Sequence, residues 1–382
     1  MQVITDTEAL SAVSEAFRKQ AFVAVDTEFL RESTYWPKLC LIQAAAEGVE
    51  AVIDPLAPGI DLAPFYAVLA DPAVLKVFHA ARQDLEIFFK AMTTMPAPVF
   101  DTQIGAMACG YGESIAYDAL VAGELKRRID KSHRFTDWSR RPLSPDQLAY
   151  ALADVTHLRD LHPKLMGRLE RNGRINWVAD EIAALVDPEI YDTTPENAWN
   201  RLKLRKTSGD YVIALKVAAE WRERTAQSRD VPRARVLKDD ALYEIAEQRP
   251  RSAAAFDRLR AVPKGFGNSR GGQELAAALE AALADPDRKA PLVERSAGAA
   301  PSAGPTIELL KVLLRTAAEK HDVAARLIAT TADIEAIATS DDADVPALSG
   351  WRRELFGEHA LALKQGRLAL SLENGKVSVK AI

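Results

Sequence analysis

Apolar residues recur along this chain with two different periods. Up to about residue 170, short β-rich runs (Gln2–Thr5, Phe22–Asp26, Cys40–Ala44, Glu50–Asp54 and Leu75–His79) alternate with stretches whose apolar positions fall three and four apart. That is the pattern of an α/β domain. Between the second and fourth of these runs there is no room for a helix, so part of the sheet is expected as antiparallel hairpin. Past residue 170 the strand signals almost vanish. Residues 209–227 carry Tyr211, Ala214, Leu215, Ala218 and Trp221 at helical spacing and open a run of amphipathic helices. A second helical block is expected from near Thr306 to about Leu363. The tail alternates again, with Leu368, Leu370 and Leu372, then Asn374-Gly375, then Val377 and Val379. Asn-Gly suits a type I′ turn, which sets Leu372 opposite Val377 and Leu370 opposite Val379.

Two breaks divide the pattern. Residues 186–198 are polar and proline-containing, and residues 285–305 are rich in Pro, Ala, Gly and Ser, the strongest linker signal in the chain. At 382 residues, and with roughly 150 per domain, two or three domains are expected. The balance of 48% hydrophobic and 27% charged residues excludes a largely disordered chain. No apolar run approaches the ~18 residues that span a bilayer. The amino terminus lacks a basic segment followed by an apolar one, and two cysteines, Cys40 and Cys109, are too few for a disulfide framework. The expectation is a soluble, cytoplasmic protein with no membrane partner. Net charge is −5, but residues 201–270 alone carry 17 Lys and Arg against 9 Asp and Glu, a net of +8, leaving −13 elsewhere. A basic module beside acidic ones is what a phosphate backbone responds to.

Three acidic elements carry candidate chemistry. Asp26 and Glu28 end an apolar strand, where positions i and i+2 face the same way, so the two carboxylates converge. Burying such a pair is costly unless a cation neutralises it, and a hard divalent ion with oxygen ligands, Mg²⁺ or Mn²⁺, fits. Asp84 follows the strand ending at His79, near the start of a helix that leaves the carboxyl end of the sheet, where crevices form. Finally, Ser144, Pro145 and Asp146 open a helix on which Tyr150 and Asp154 stand one turn apart on one face.

Together, an Asp-x-Glu on the first long strand, an Asp after a later strand and a Tyr-x-x-x-Asp on a following helix resemble the DEDD exonuclease superfamily. Ala149 stands where the histidine version of the last motif has its His, so Tyr150 marks the tyrosine version. The stretches VDTEFLRESTYWPKLCLIQ (25–43), FDTQ (100–103) and DWSRRPLSPDQLAYALADV (137–155) resemble the ribonuclease D family, and the carboxyl half resembles two HRDC domains. The resemblance implies a mixed, ribonuclease H-like α/β exonuclease domain over 1–170, a connecting segment over 171–202, HRDC modules over 203–285 and 305–382, and a linker over 286–304. The short C-terminal β-hairpin closes the second module.

It also implies the catalytic set Asp26, Glu28, Asp84, Tyr150 and Asp154. Asp26, Glu28 and Asp154 would hold one divalent ion, and Asp26 with Asp84 a second. The implied reaction releases nucleoside 5′-monophosphates from RNA with a free 3′ end, tRNA precursors in particular. Separately, a monomer is expected. Thr27, Phe29 and Gln103 are expected to wall the terminal-nucleotide pocket. Lys203, Arg205, Lys206, Arg222, Arg224, Arg229, Arg233 and Arg235 are expected to neutralise phosphates. His157 and His162 lack the i, i+4 spacing of a zinc helix, so these histidines and His79 are expected at the surface. No G-x-x-x-x-G-K-[ST] is present, which excludes an ATP-driven helicase. A DNA-directed exonuclease and a non-catalytic nucleic-acid adaptor are the rival readings.

Overall fold

The computed structural model describes residues 3–130, 132–133, 136–285 and 303–382. Most of the expected linker, residues 286–302, and Gln2 of the first expected strand lie outside the described residues. The chain forms two compact units, and neither is one continuous stretch of sequence. The first contains residues 3–28, Cys40–Asp187 and 303–382; the second contains Phe29–Leu39 and 188–285.

The first unit is built on a five-stranded sheet. Helix α1 (Thr7–Phe17) opens on Asp6, whose carboxylate accepts the Ala9 N–H. The strands β1 (Phe22–Leu30), β2 (Lys38–Ala46) and β3 (Val49–Ile53) follow. β2 is buried from Cys40 to Ala46, the mark of a strand covered on both faces. It pairs antiparallel with β3, Ile42 opposite Ile53 and Ala46 opposite Val49, around a turn where Gly48 takes φ 69°. This is the hairpin that the short spacing requires.

Helix α2 (Ala63–Ala70), strand β4 (Leu75–Phe78), helix α3 (Arg82–Met92), strand β5 (Val99–Asp101) and helix α4 (Thr102–Ala108) complete the sheet in the order β3-β2-β1-β4-β5. β4 runs parallel to β1, pairing Phe22 with Leu75 and Ala24 with Val77, and β5 runs parallel to β4. The pairing of β1 with β4 ends at Ala24, so Asp26 and Glu28 extend past the parallel ladder. β5 has only three residues, too few to show a period of two.

Helices α5 (Tyr117–Leu125), α6 (Pro145–Arg171) and α7 (Ile175–Leu185) follow. α6 begins as the sequence indicates. The Ser144 hydroxyl accepts the Gln147 N–H, while the Gln147 side chain accepts the Ser144 N–H. Its buried stripe (Ala151, Val155, Leu158, Leu161, Leu165, Leu169) packs across the sheet.

The second unit holds α8 (Gly209–Arg229), α9 (Arg233–Val236), α10 (Asp239–Gln248), α11 (Ala253–Phe256) and α12 (Arg270–Ala284) around a core that includes Leu215, Leu242, Ile245, Phe256 and Leu275. The β1–β2 connection belongs to this unit. Asp230, at φ 47° in the left-handed region, accepts the backbone N–H groups of Tyr35 and Trp36 at 3.1 and 3.0 Å. The Tyr35 hydroxyl bonds Glu223, which Arg201 and Arg233 neutralise at 2.9 and 2.6 Å.

The last segment returns to the first unit: α13 (Gly304–His321), α14 (Ala325–Ile328), α15 (Thr331–Thr339), α16 (Gly350–Arg352) and α17 (Glu358–Lys364), the last two joined by a wider turn over Arg353–Gly357. One core cluster runs from Ala24 and Phe100 through α4 and α6 to Leu313, Ile337 and Phe356. The Ala324 N–H donates to the Met107 carbonyl, and Trp351 stacks on Trp177 with centroids 4.2 Å apart. Strands β6 (Leu368–Glu373) and β7 (Lys376–Ala381) close the chain in the expected register, Leu372 opposite Val377 and Leu370 opposite Val379. No helix among the described residues is long and apolar enough to cross a membrane.

Candidate active site

Asp26 and Glu28 share one face of β1, and Asp154 reaches them from α6. Each offers one carboxylate oxygen, and the three oxygens lie within 4.8 Å of one another, the one such cluster among the described residues. Asp84 sits in the first turn of α3, buried, and stands off the trio; it accepts the hydroxyl of Thr27, itself buried on β1. Tyr150 lies one turn before Asp154 on the same helix, and both side chains line one cavity.

Negative charge this dense destabilises its own ionised state. Burial pushes Asp26 up to about 6 and Asp154, which also faces Asp26, up to about 8. Burial and then the charges of Asp26, Asp154 and Asp84 push Glu28 up to about 9. Asp84 is raised well above the usual carboxylate range, first by burial and then by Asp26. Burial, then Asp154, raises the Tyr150 hydroxyl too, so it stays protonated at neutral pH. The donor set is all oxygen and acidic, which fits hard divalent cations.

Asp26 and Asp154 line a cavity of about 330 Å³ whose walls also include His79, Gln103, Tyr117 and Tyr150. Gln103 is therefore at the cavity as expected, its Nε2 donating to the Ile115 carbonyl at 3.3 Å. Thr27 supports Asp84 instead of facing the cavity. Phe29 is half-buried on β1 just past Glu28.

Three supporting residues escape a reading of the motifs. The Asp101 carboxylate accepts the N–H groups of Ala80, Ala81 and Gln103 at 3.0, 2.9 and 2.7 Å, holding the turn that leads into α3 and Asp84. The Tyr117 hydroxyl donates to the Asp154 carbonyl. Arg141 donates twice to Asp54 at 2.6 Å and once to the Cys40 carbonyl at 2.7 Å, fixing the segment ahead of Ser144. An Asp before a helix was a legible signal for Asp101, which caps α4. Nothing local marks the other two.

Several expectations need correction. His162 is 7% exposed, packed 4.6 Å from the Phe22 ring and 5.2 Å from Phe100, so it is a core residue, not a surface one. His79 is half-buried at the cavity wall, its Nδ1 3.0 Å from the Thr102 hydroxyl. Arg222 is 4% exposed and donates to Asp239 at 2.6 Å and to the Leu237 carbonyl at 3.2 Å, so it braces the second unit and cannot meet a phosphate. Arg233 is spent on Glu223. Arg205, Lys206 and Arg224 pair with Asp240, Glu247 and Glu220 at the surface. Lys203, Arg229 and Arg235 are exposed. The net charge of the segment thus overstates its open cations.

The family described as 3′–5′ exonuclease matches residues 1–170, and the family described as HRDC domain matches residues 214–279. Over 378 residues the chain is 52% identical to ribonuclease D of Nitrobacter hamburgensis, covering 99% of this chain and 98% of that one. It is 48% identical to ribonuclease D of Gluconacetobacter diazotrophicus, covering 98% and 95%. The crystal structure of Escherichia coli RNase D, described as an exoribonuclease involved in structured RNA processing, is similar with a TM-score of 0.81 and 31% identity, covering 96% of this chain and 98% of that one.

Proposed function

The chain belongs to the ribonuclease D family, and from that premise we propose that it is a cytoplasmic, monomeric enzyme that trims structured RNA, tRNA precursors above all, from the 3′ end. As a member of that family it is a 3′→5′ exoribonuclease that depends on divalent metal. The observation that carries the mechanistic reading is the convergence of the Asp26, Glu28 and Asp154 oxygens within 4.8 Å. Those three would hold one ion, Mg²⁺ or Mn²⁺, and Asp26 with Asp84 a second. The two ions would lower the pKa of the attacking water and stabilise the departing 3′ oxygen, the symmetric clamp of an in-line displacement at phosphorus. The products are nucleoside 5′-monophosphates.

The protein's own groups do the rest. Tyr150, protonated and one turn from Asp154, orients the nucleophilic water through its hydroxyl rather than taking its proton. Gln103 and His79 line the cavity that receives the terminal nucleotide. Lys203, Arg229 and Arg235 offer exposed positive charge for RNA phosphates. The helical segment from α13 to α17 is a second HRDC module. Supporting this, α8–α9–α10 and α13–α14–α15 repeat one plan: a long helix, an Asp in the left-handed region (Asp230, Asp322), Val, a four-residue helix and another helix.

The test is a gel time course on matched 3′-tailed RNA and DNA with Mg²⁺, Mn²⁺ or EDTA. Stepwise shortening of RNA from the 3′ end, abolished by EDTA, is expected. Equal or faster loss of DNA would move the assignment to a DNA exonuclease.

A further inference from the structure

The two helical repeats differ at one place. In the second unit, Arg222 lies eight residues before Asp230, and its guanidinium reaches the Leu237 carbonyl and Asp239, seven and nine residues after it. At the same offsets from Asp322, the later repeat has Leu314, Ala329 and Thr331. The side chain that plugs the first repeat, and the acid that neutralises it, are both gone. In their place is a cavity of about 460 Å³ between α13 and α15.

The rim of that cavity is basic. Lys311, Arg315 and Arg326 line it, with Thr330, whose hydroxyl accepts the Asp333 N–H. Lys311 bonds Glu308 at 2.8 Å, whereas Arg315 and Arg326 are exposed and have no carboxylate partner among the described residues. Arg315 occupies the position of Glu223, the acid that the first repeat spends on the β1–β2 connection. The same face has thus exchanged a buried, neutralised acid for an open cation.

One loop joins this cavity to the catalytic one. Glu113, the single acid on the lining, forms one wall here, and Ala116, Tyr117 and Asp118 line the cavity of the carboxylates. Three residues of chain span at most ~11 Å. The cavity is also fixed to that loop's domain, since both belong to the first unit and the Ala324 N–H is held by the Met107 carbonyl at 2.9 Å.

We propose that the cavity between α13 and α15 binds a phosphodiester of the RNA strand upstream of the 3′ end, with Arg315 and Arg326 as its ligands. The inference rests on the exoribonuclease reading above. Cations that contact phosphate without touching bases add affinity for long strands of any sequence. A dinucleotide, confined to the catalytic cavity, gains nothing from them.

Binding and hydrolysis are measured separately so that the two readings can fail separately. In an Asp154→Asn background, which keeps RNA intact, the double variant Arg315→Ala/Arg326→Ala is expected to raise the Kd for RNA with a long single-stranded 3′ tail about tenfold. The slope of log affinity against log salt should shrink by about 0.7 for each cation removed. Arg315→Lys should retain most of the affinity. With Asp154 restored, the double variant should raise KM on the tailed RNA while leaving kcat and KM on a dinucleotide unmoved. An unchanged Kd and salt slope would overturn the proposal. So would an equal loss on tailed RNA and dinucleotide, which marks a fold defect. A parent enzyme that never shortens RNA would instead sink the nuclease reading, and the binding arm would still decide the phosphate site.

Discussion

At the scale of single residues, the site is defined by carboxylates held where they do not wish to ionise. Replacing Asp26 or Asp154 by Asn should cut the hydrolysis rate by at least about a thousandfold while leaving the fold intact, read as kcat beside a thermal melt. Nuclease activity surviving in either variant would sink the mechanism. Tyr150→Phe should cost less, about ten- to a hundredfold in kcat, because it removes an orienting hydroxyl and not a charge.

The raised carboxyl groups also set a pH dependence of stability. Between the ordinary carboxylate range near 4 and the folded values, which reach about 9 at Glu28, the folded protein holds more protons than the unfolded chain. Stability of the metal-free protein therefore falls as pH rises through that window. A divalent cation compensates the charge, so the gain in Tm on adding Mg²⁺ should widen from about pH 5 to about pH 9. A gain that narrows with pH would contradict the assignment of these acids as ligands.

The convergence of Asp26, Glu28 and Asp154 was legible because its signals are local: two acids two apart on a strand, a capped helix with Tyr and Asp one turn apart. Tyr117 and Arg141 were not, because their partners, the Asp154 carbonyl and Asp54, are distant in sequence.

At the scale of elements, the β1–β2 connection shows how a buried charge is kept. The Glu223 side chain is 1% exposed and receives Arg233 through two bonds of 2.6 Å, Arg201 at 2.9 Å and the Tyr35 hydroxyl, over whose ring the Arg233 guanidinium lies at 4.7 Å. Removing one partner of such a set leaves the others uncompensated. Glu223→Ala should therefore destabilise the second unit by about 3–5 kcal/mol in urea unfolding, whereas Tyr35→Phe should cost about 1 kcal/mol. Equal costs would show that the hydroxyl, and not the charge pairing, dominates.

Periodicity found the long elements well, and the terminal hairpin down to its register, because Asn374 and Gly375 both supply the positive φ that the turn requires. It could not find β5, which is three residues long. Charge counting found a basic segment but not its chemistry, since a count does not see that Arg222 is buried against Asp239.

At the scale of the whole molecule, sequence order and compact units diverge. The linker at 285–305 reads as a domain boundary, and the described residues after it complete the first unit's core. Arg174 donates to the carbonyls of Ala108, His321 and Asp322, and Arg352 donates to Asp180. Ending the chain after Asp285 should therefore lower the Tm and cause aggregation, visible as early elution in size-exclusion chromatography. A truncated protein as stable and as monodisperse as the full chain would show that the shared core is dispensable.

A ribosome releases this chain from its amino end, and the shared core gives that order a meaning. All four acids have been made once Asp154 has emerged. The Met107 carbonyl and the Trp177 ring, however, wait for Ala324 and Trp351, which come 217 and 174 residues later. During synthesis the chain thus possesses its acids long before it possesses the residues that complete the core around them.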